Sequence, residues 1–402
     1  MASLPQELLD DIVDELSKDR ESLRALHSTS RSFRHRAQIH LFQSIHLPEK
    51  RSCHSFLELC TASPNILDLV ETLEVTVFID RDEYQALGNH SLLNLRSLRI
   101  NGGPGILPGR HLSRVNIHEI PSSLFTYSSI TSLTLASLNI KSDRHLRNIL
   151  RSFPSLQTLV MNGVRVCVSD PFSSLYGPEA KENVEDDGPE IENLSISFAS
   201  FNLCNISTLL QVKGRPFVLR GLRRLSCTWV QHWHGMLDVL VVLYATKRTL
   251  QELHVCHRDV TYWGTYQRSH VLDFSHIACV TFEAPRRSID QIIGLSWFTE
   301  CLEYQEDGPA RISQLRLSFR IPNFETVLSD RYRNVWRSLD RILAVERFAS
   351  LEKFNISVVI EGAIVVTGEE DQLDLPRMDQ AVSSSFPTLH EQGKVFVQIV
   401  GP

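Results

Sequence analysis

The chain has 402 residues, 42% of them hydrophobic and 22% charged, which is ample for a sizeable folded core. A formal net charge of -6 and a pI near 6.2 exclude a general nucleic-acid or membrane-surface binder. No basic stretch followed by an apolar one opens the sequence, and its longest apolar run, "MLDVLVVLYA" (236–245), is far short of the roughly 20 residues that span a bilayer. An intracellular location, cytoplasmic or nuclear, is therefore expected, with neither nucleic acid nor membrane as partner. The eight cysteines form no C-x-x-C pair, so they read as free, buried thiols in a reducing compartment.

The opening segment, "SLPQELLDDIVDEL" (3–16), reads as an amphipathic helix. Ser3 is placed to N-cap it, Leu4 and Pro5 to enter the first turn, and Leu8, Leu9, Ile12, Val13 and Leu16 form one wide apolar stripe. Asp19 caps a second helix carrying Leu23 and Leu26. A third helix, from about Ser30, carries Phe33, Ala37 and Leu41. Three helices this short bury little by themselves, so the stripe calls for a cover.

This stretch resembles an F-box, in the form common among fungal F-box proteins. The L-P-x-E-L-L-x-x-I opening is matched by Leu4, Pro5, Glu7, Leu8, Leu9 and Ile12; further matches are Leu16, Asp19, Leu23, Leu26, Leu41, Phe42 and Ile45. It departs where the family often has cysteine before the third helix ("HSTSRSF" here) and where Phe33 stands for a frequent tryptophan. The resemblance implies a partner: the small Skp-type adaptor of cullin–RING ubiquitin ligases. It would be met by Leu4, Pro5, Leu8 and Ile12, with Leu23, Leu26 and Phe33 either joining that contact or holding the helices together.

From residue 48 onward an apolar-x-x-apolar-x-apolar pattern recurs ten times, at spacings of about 25 to 39 residues. The copies begin at Val70, Leu95, Ile130, Leu156, Ile191, Leu222, Leu250, Ile277, Ile312 and Leu351. The last two apolar positions lie two apart, as on one face of a short strand. Helical stretches lie between copies at 143–153, 235–247, 288–301 and 330–348. The tail adds a last helix and an apolar strand over 395–400. Alternating strand and helix at this period predicts an α/β solenoid, a horseshoe with a concave parallel sheet. The pattern resembles leucine-rich repeats, with irregular lengths and with the strand-ending asparagine displaced (Asn101, Asn139 and Asn162 are near-misses). Two domains follow: a helical one over 1–47 and the solenoid over 48–402.

Catalytic motifs are missing: there is no H-E-x-x-H, G-x-S-x-G or P-loop, and "NGGPGILPGR" (101–110) has the wrong spacing for a phosphate cradle. Cys227, His232, His234, His254, Cys256 and His257 fall on successive copies and carry zinc-ligand chemistry. Their spacing lacks the tight pairs of structural sites, so polar strand residues and buried thiols are the expectation, with no metal or cofactor. "RSFRHR" (31–36) reads as a solvated helix face. The expected function is non-enzymatic: a substrate-recognition adaptor docking on a Skp-type subunit and binding a target protein. The alternative is a repeat scaffold with a degenerate F-box. The solvent-facing positions that flank each strand's final apolar residue are nominated for the target, Arg99, His254 and Arg316 among them. An aromatic loop with Tyr262, Trp263 and Tyr266 supplies a candidate anchor, with the acidic stretch 182–190 as the fallback.

Overall fold

The structure, a computed structural model, describes residues 4–76, 81–90, 92–102, 115–116, 127–140, 142–166, 188–198, 217–229, 233–257, 271–284, 288–304, 308–321, 329–360, 380 and 382–400. It is α/β, and every strand pair assigned a register is parallel. Two compact units divide the chain near residue 189.

The first unit opens with three helices: α1 (Gln6–Glu15), α2 (Arg20–Thr29) and α3 (Arg31–Phe42). The Asp19 carboxylate accepts from the Glu21 and Ser22 amides, so the expected cap of α2 is made, and the Ser30 hydroxyl caps α3 by accepting from the Ser32 amide. The first helix starts later than expected. Pro5, with φ -53° and ψ 145°, is its N-cap and contributes no side-chain bond, because its ring carries no acceptor; Ser3 lies outside the described residues. Val13, Leu23, Ala37 and Leu41 pack as a buried cluster, with Leu16, Leu26, Phe33 and Phe42 packed around it.

Strands β1 (Ser44–Leu47), β2 (Thr72–Thr76), β3 (Ser97–Asn101), β5 (Ser132–Ala136) and β7 (Thr158–Asn162) then pair in that order. Short β4 (Val115–Asn116), β6 (Leu138–Ile140) and β8 (Arg165–Val166) form a second ladder. Helix α6 (Asp143–Arg151) falls where the sequence places it. Two others, α4 (Lys50–Ala62) and α5 (Arg81–Asn89), do not emerge from the repeat pattern. Yet Cys53, Phe56 and Cys60, the buried residues of α4, are spaced to share one helical face.

In the second unit β9 (Asn193–Phe198), β10 (Arg224–Trp229), β11 (Glu252–His257), β12 (Cys279–Glu283), β13 (Gln314–Ile321), β14 (Lys353–Ile360) and β15 (Val395–Val400) pair in sequence order. The helices are α7 (Trp233–Ala245), α8 (Ser288–Glu303), α9 (Asp330–Leu343) and the short α10 (Pro387–Glu391). All ten sequence copies are strands, and the expected closing strand is β15.

The ladders have no stagger. Leu73, Leu98, Leu133 and Leu159 stand in one row of the first unit. Leu194, Leu225, Leu253, Val280, Leu315 and Phe354 stand in one row of the second. The leading apolar residue of every copy, from Val70 to Leu351, is also buried. A shared backbone device fixes the offset: at the start of β3, β5, β7 and each of β10 to β14, two successive amides donate to one carbonyl of the preceding copy. Arg96 and Ser97 donate to Glu71, Gln251 and Glu252 to Arg223, and Ser313 and Gln314 to Ala278.

Aromatic rings fill the second unit between strands and helices. Phe282 stacks on Phe298 at 4.8 Å, and Trp336 meets Phe319 at 5.3 Å and Phe386 at 5.7 Å. The buried Asp340 carboxylate accepts from the Thr388 and Leu389 amides, which fastens α10 to α9. Burial alternates strictly along β12, and adjacent substitutions will report it. Phe282→Ala should cost about 3–5 kcal/mol in chemical denaturation, and Thr281→Ala within about 0.5 kcal/mol. Equal effects would contradict the register.

Candidate docking surfaces

The apolar stripe of α1 is not one face but two. Val13 is fully buried, with Leu16 packed beside it, whereas Leu4, Leu8 and Ile12 are 57%, 49% and 44% exposed. The i, i+4 spacing of the last three lines them up along the helix, with exposed Pro5 beside Leu4. Leu23 is buried in the helical cluster, and Leu26 and Phe33 pack against it. Of the two roles set out for those residues, holding the helices together fits Leu23 fully and Leu26 and Phe33 in part.

A polar clamp fixes α1 against α3. The Arg36 guanidinium donates to both Asp14 oxygens, each at 2.6 Å, and His40 Nε2 lies 2.6 Å from Asp14 Oδ1. Hydrogen bonds first from Arg36 and then from His40 hold the Asp14 carboxyl well below its ordinary 3.8. Sequence reading missed this clamp, since Arg36 belongs to "RSFRHR" and looked merely solvated. The available signal was that Arg36 and His40 share a helix face four residues apart.

The second surface is the outward face of the strands. In the first unit Glu74 lies 3.5 Å from Arg99 and 3.8 Å from His46, its register neighbours. In the second, Arg224 pairs with Glu252 at 3.2 Å. His254 Nδ1 lies 3.3 Å from Ser226 Oγ, and Nε2 lies 3.7 Å from Glu283 Oε2. The His254 hydrogen bond, above all, draws the Glu283 carboxyl below its ordinary value, against the effect of burial. Ser226, His254 and Glu283 thus line up across three neighbouring strands.

The flanking positions are mostly solvent-facing as expected, with three corrections: Thr76, Ala136 and Cys256 are buried. Ala136 ends its strand just before the chain turns into β6 through Ser137, and the Cys256 thiol bonds the Glu283 carboxylate. Arg99, His254 and Arg316 do face outward. Tyr262, Trp263 and Tyr266 lie outside the described residues, as does 182–187 of the acidic stretch.

Strands β10 and β11 are neighbours, but the metal-type residues divide between faces. Cys227 is buried inward beside Val255, while His254 looks outward. Among the described residues no group of three such side chains could hold a metal. His232 lies outside those residues, and the side chains of His234 and His257 are not described.

Because the Asp14 carboxylate stays ionised below 3.8 in the folded state, the folded protein binds fewer protons than the unfolded one there. The clamp therefore contributes its full stability above that pH and loses it as the pH falls. A carboxyl NMR titration should show Asp14 still ionised at pH values where an ordinary aspartate is half protonated. In Arg36→Gln/His40→Gln the titration should move up towards 3.8; an unmoved midpoint would contradict the clamp.

No protein-family model matches the chain, and no curated protein matches it.

Proposed function

We propose that this protein is a substrate adaptor: an F-box-like helical unit docks on a Skp-type subunit of a cullin–RING ubiquitin ligase, and a leucine-rich-repeat-like solenoid holds a target. The observation that carries the reading is the split of α1. Leu4, Leu8 and Ile12 are exposed along one line while Val13 of the same helix is fully buried and Leu16 packs beside it. Exposed leucines and isoleucine aligned on a small, capped and clamped helical unit suit a partner that supplies the missing cover. The expected motifs of a catalyst are absent, and the reading needs none. Bringing a target beside a ubiquitin-loaded enzyme raises its effective concentration, and this proximity is the whole contribution asked of the chain. No helix among the described residues is long and apolar enough to cross a membrane, in keeping with an intracellular adaptor.

Leu8→Asp/Ile12→Asp tests this against folding, because both side chains are already in solvent. Co-purification with a recombinant Skp-type adaptor should drop about a hundredfold or more, since burying an unpaired charge costs several kcal/mol. Circular dichroism should stay unchanged, whereas Val13→Asp should unfold the helices. Unaltered capture by the double variant, or no capture by the parent chain, would leave the repeat scaffold as the reading.

A further inference from the structure

Charge is distributed unevenly over the outward strand faces. On β1–β3 and β10–β12, the described outward cations meet carboxylates on neighbouring strands: Arg99 and His46 meet Glu74, Arg224 meets Glu252, and His254 meets Glu283. On β13, β14 and β15 the balance fails. Their sequences, "QLRLSFRI", "KFNISVVI" and "VFVQIV", contain Arg316, Arg320 and Lys353 and no acidic residue. All three cations alternate with buried neighbours (Leu315, Leu317, Phe319 and Phe354), so they share the outward face. Arg316 donates to the neutral Gln314 side chain at 3.3 Å, and Lys353 Nζ sits 5.0 Å from the Phe396 ring centre. The charge of Arg320 is felt by Glu283, one strand away. Among the described residues, no carboxylate pairs with Arg316 or Lys353.

Phe396 is the second part of the patch. It is 48% exposed, and the register aligns it with Asn355 and Arg316. A large ring half in solvent, with Lys353 over it and Arg316 two strands away, neither paired with a carboxylate among the described residues, marks a surface that acidic partners are drawn to.

We propose that the outward face of β13–β15 docks an acidic, extended segment of the target protein, carboxylates meeting Arg316 and Lys353 and an apolar side chain covering Phe396. This rests on the reading of the outward strand face as the target surface and names the chemistry of that target. The cation over the ring keeps Phe396 upright, and a carboxylate bound to Lys353 adds to the same stack.

The test uses the full chain and a fluorescein-labelled peptide of repeating Glu-Glu-Leu-Glu units, followed by fluorescence anisotropy. The acidic peptide should bind at least about tenfold tighter than its glutamine counterpart and weaken as salt is raised. Arg316→Glu/Lys353→Glu should remove that preference. Arg331→Glu/Arg337→Glu, which makes the same change in net charge on exposed positions of α9, should leave it intact. Equal binding of both peptides, absence of binding, or an equal loss in the α9 variant would overturn the proposal. Adaptor capture is measured separately. Arg316→Glu/Lys353→Glu should retain it and Leu8→Asp/Ile12→Asp should retain peptide binding, so each reading fails without taking the other with it.

Discussion

The structure depends on parallel strands meeting in unshifted register. When each copy's apolar pair stands beside its equivalent in the next, one row of side chains runs unbroken through each unit. A slip of one residue would turn every such row towards water. The paired amides at the start of β3, β5, β7 and β10 to β14 prevent the slip, because they tie the backbone to one carbonyl of the previous copy as the strand begins. The leading apolar residue, buried just ahead of those amides, anchors the same point from inside.

That arrangement frees the other face. With one side of each strand committed to the core and the backbone committed to the ladder, only outward side chains remain variable. Glu74, Arg99, Arg224, Glu252, His254 and Glu283 satisfy one another across strands, whereas Arg316 and Lys353 meet no carboxylate among the described residues and Phe396, under Lys353, stays half exposed. The same division of labour operates in the helical unit. Asp14, Arg36 and His40 fix the angle between α1 and α3, Val13 and Leu23 fill the space between helices, and Leu4, Leu8 and Ile12 are left over.

The strands were legible in the sequence because three apolar positions at fixed offsets recur whatever the loops between them do. Asp19 was legible as a cap for an equally local reason. The split of the α1 stripe was not: Ile12 and Val13 are adjacent and equally apolar, and only the positions of α2 and α3 decide which one is covered. Helix α4 was hidden because two of its buried residues are cysteines, and the β4–β6–β8 ladder because strands of two or three residues carry no period. Cys256 was read both as a buried thiol and as an outward flanking position; it is buried, and its hydrogen bond to Glu283 in the next repeat is a contact no local pattern encodes.

If the exposed line on α1 is an interface and the outward strand face a separate one, amide hydrogen exchange of the full chain, with and without a recombinant Skp-type adaptor, reads it most directly. Slowed exchange confined to residues 6–42, with β9 to β15 unchanged, is the expected result. Protection centred on the strands, or none anywhere, would contradict it.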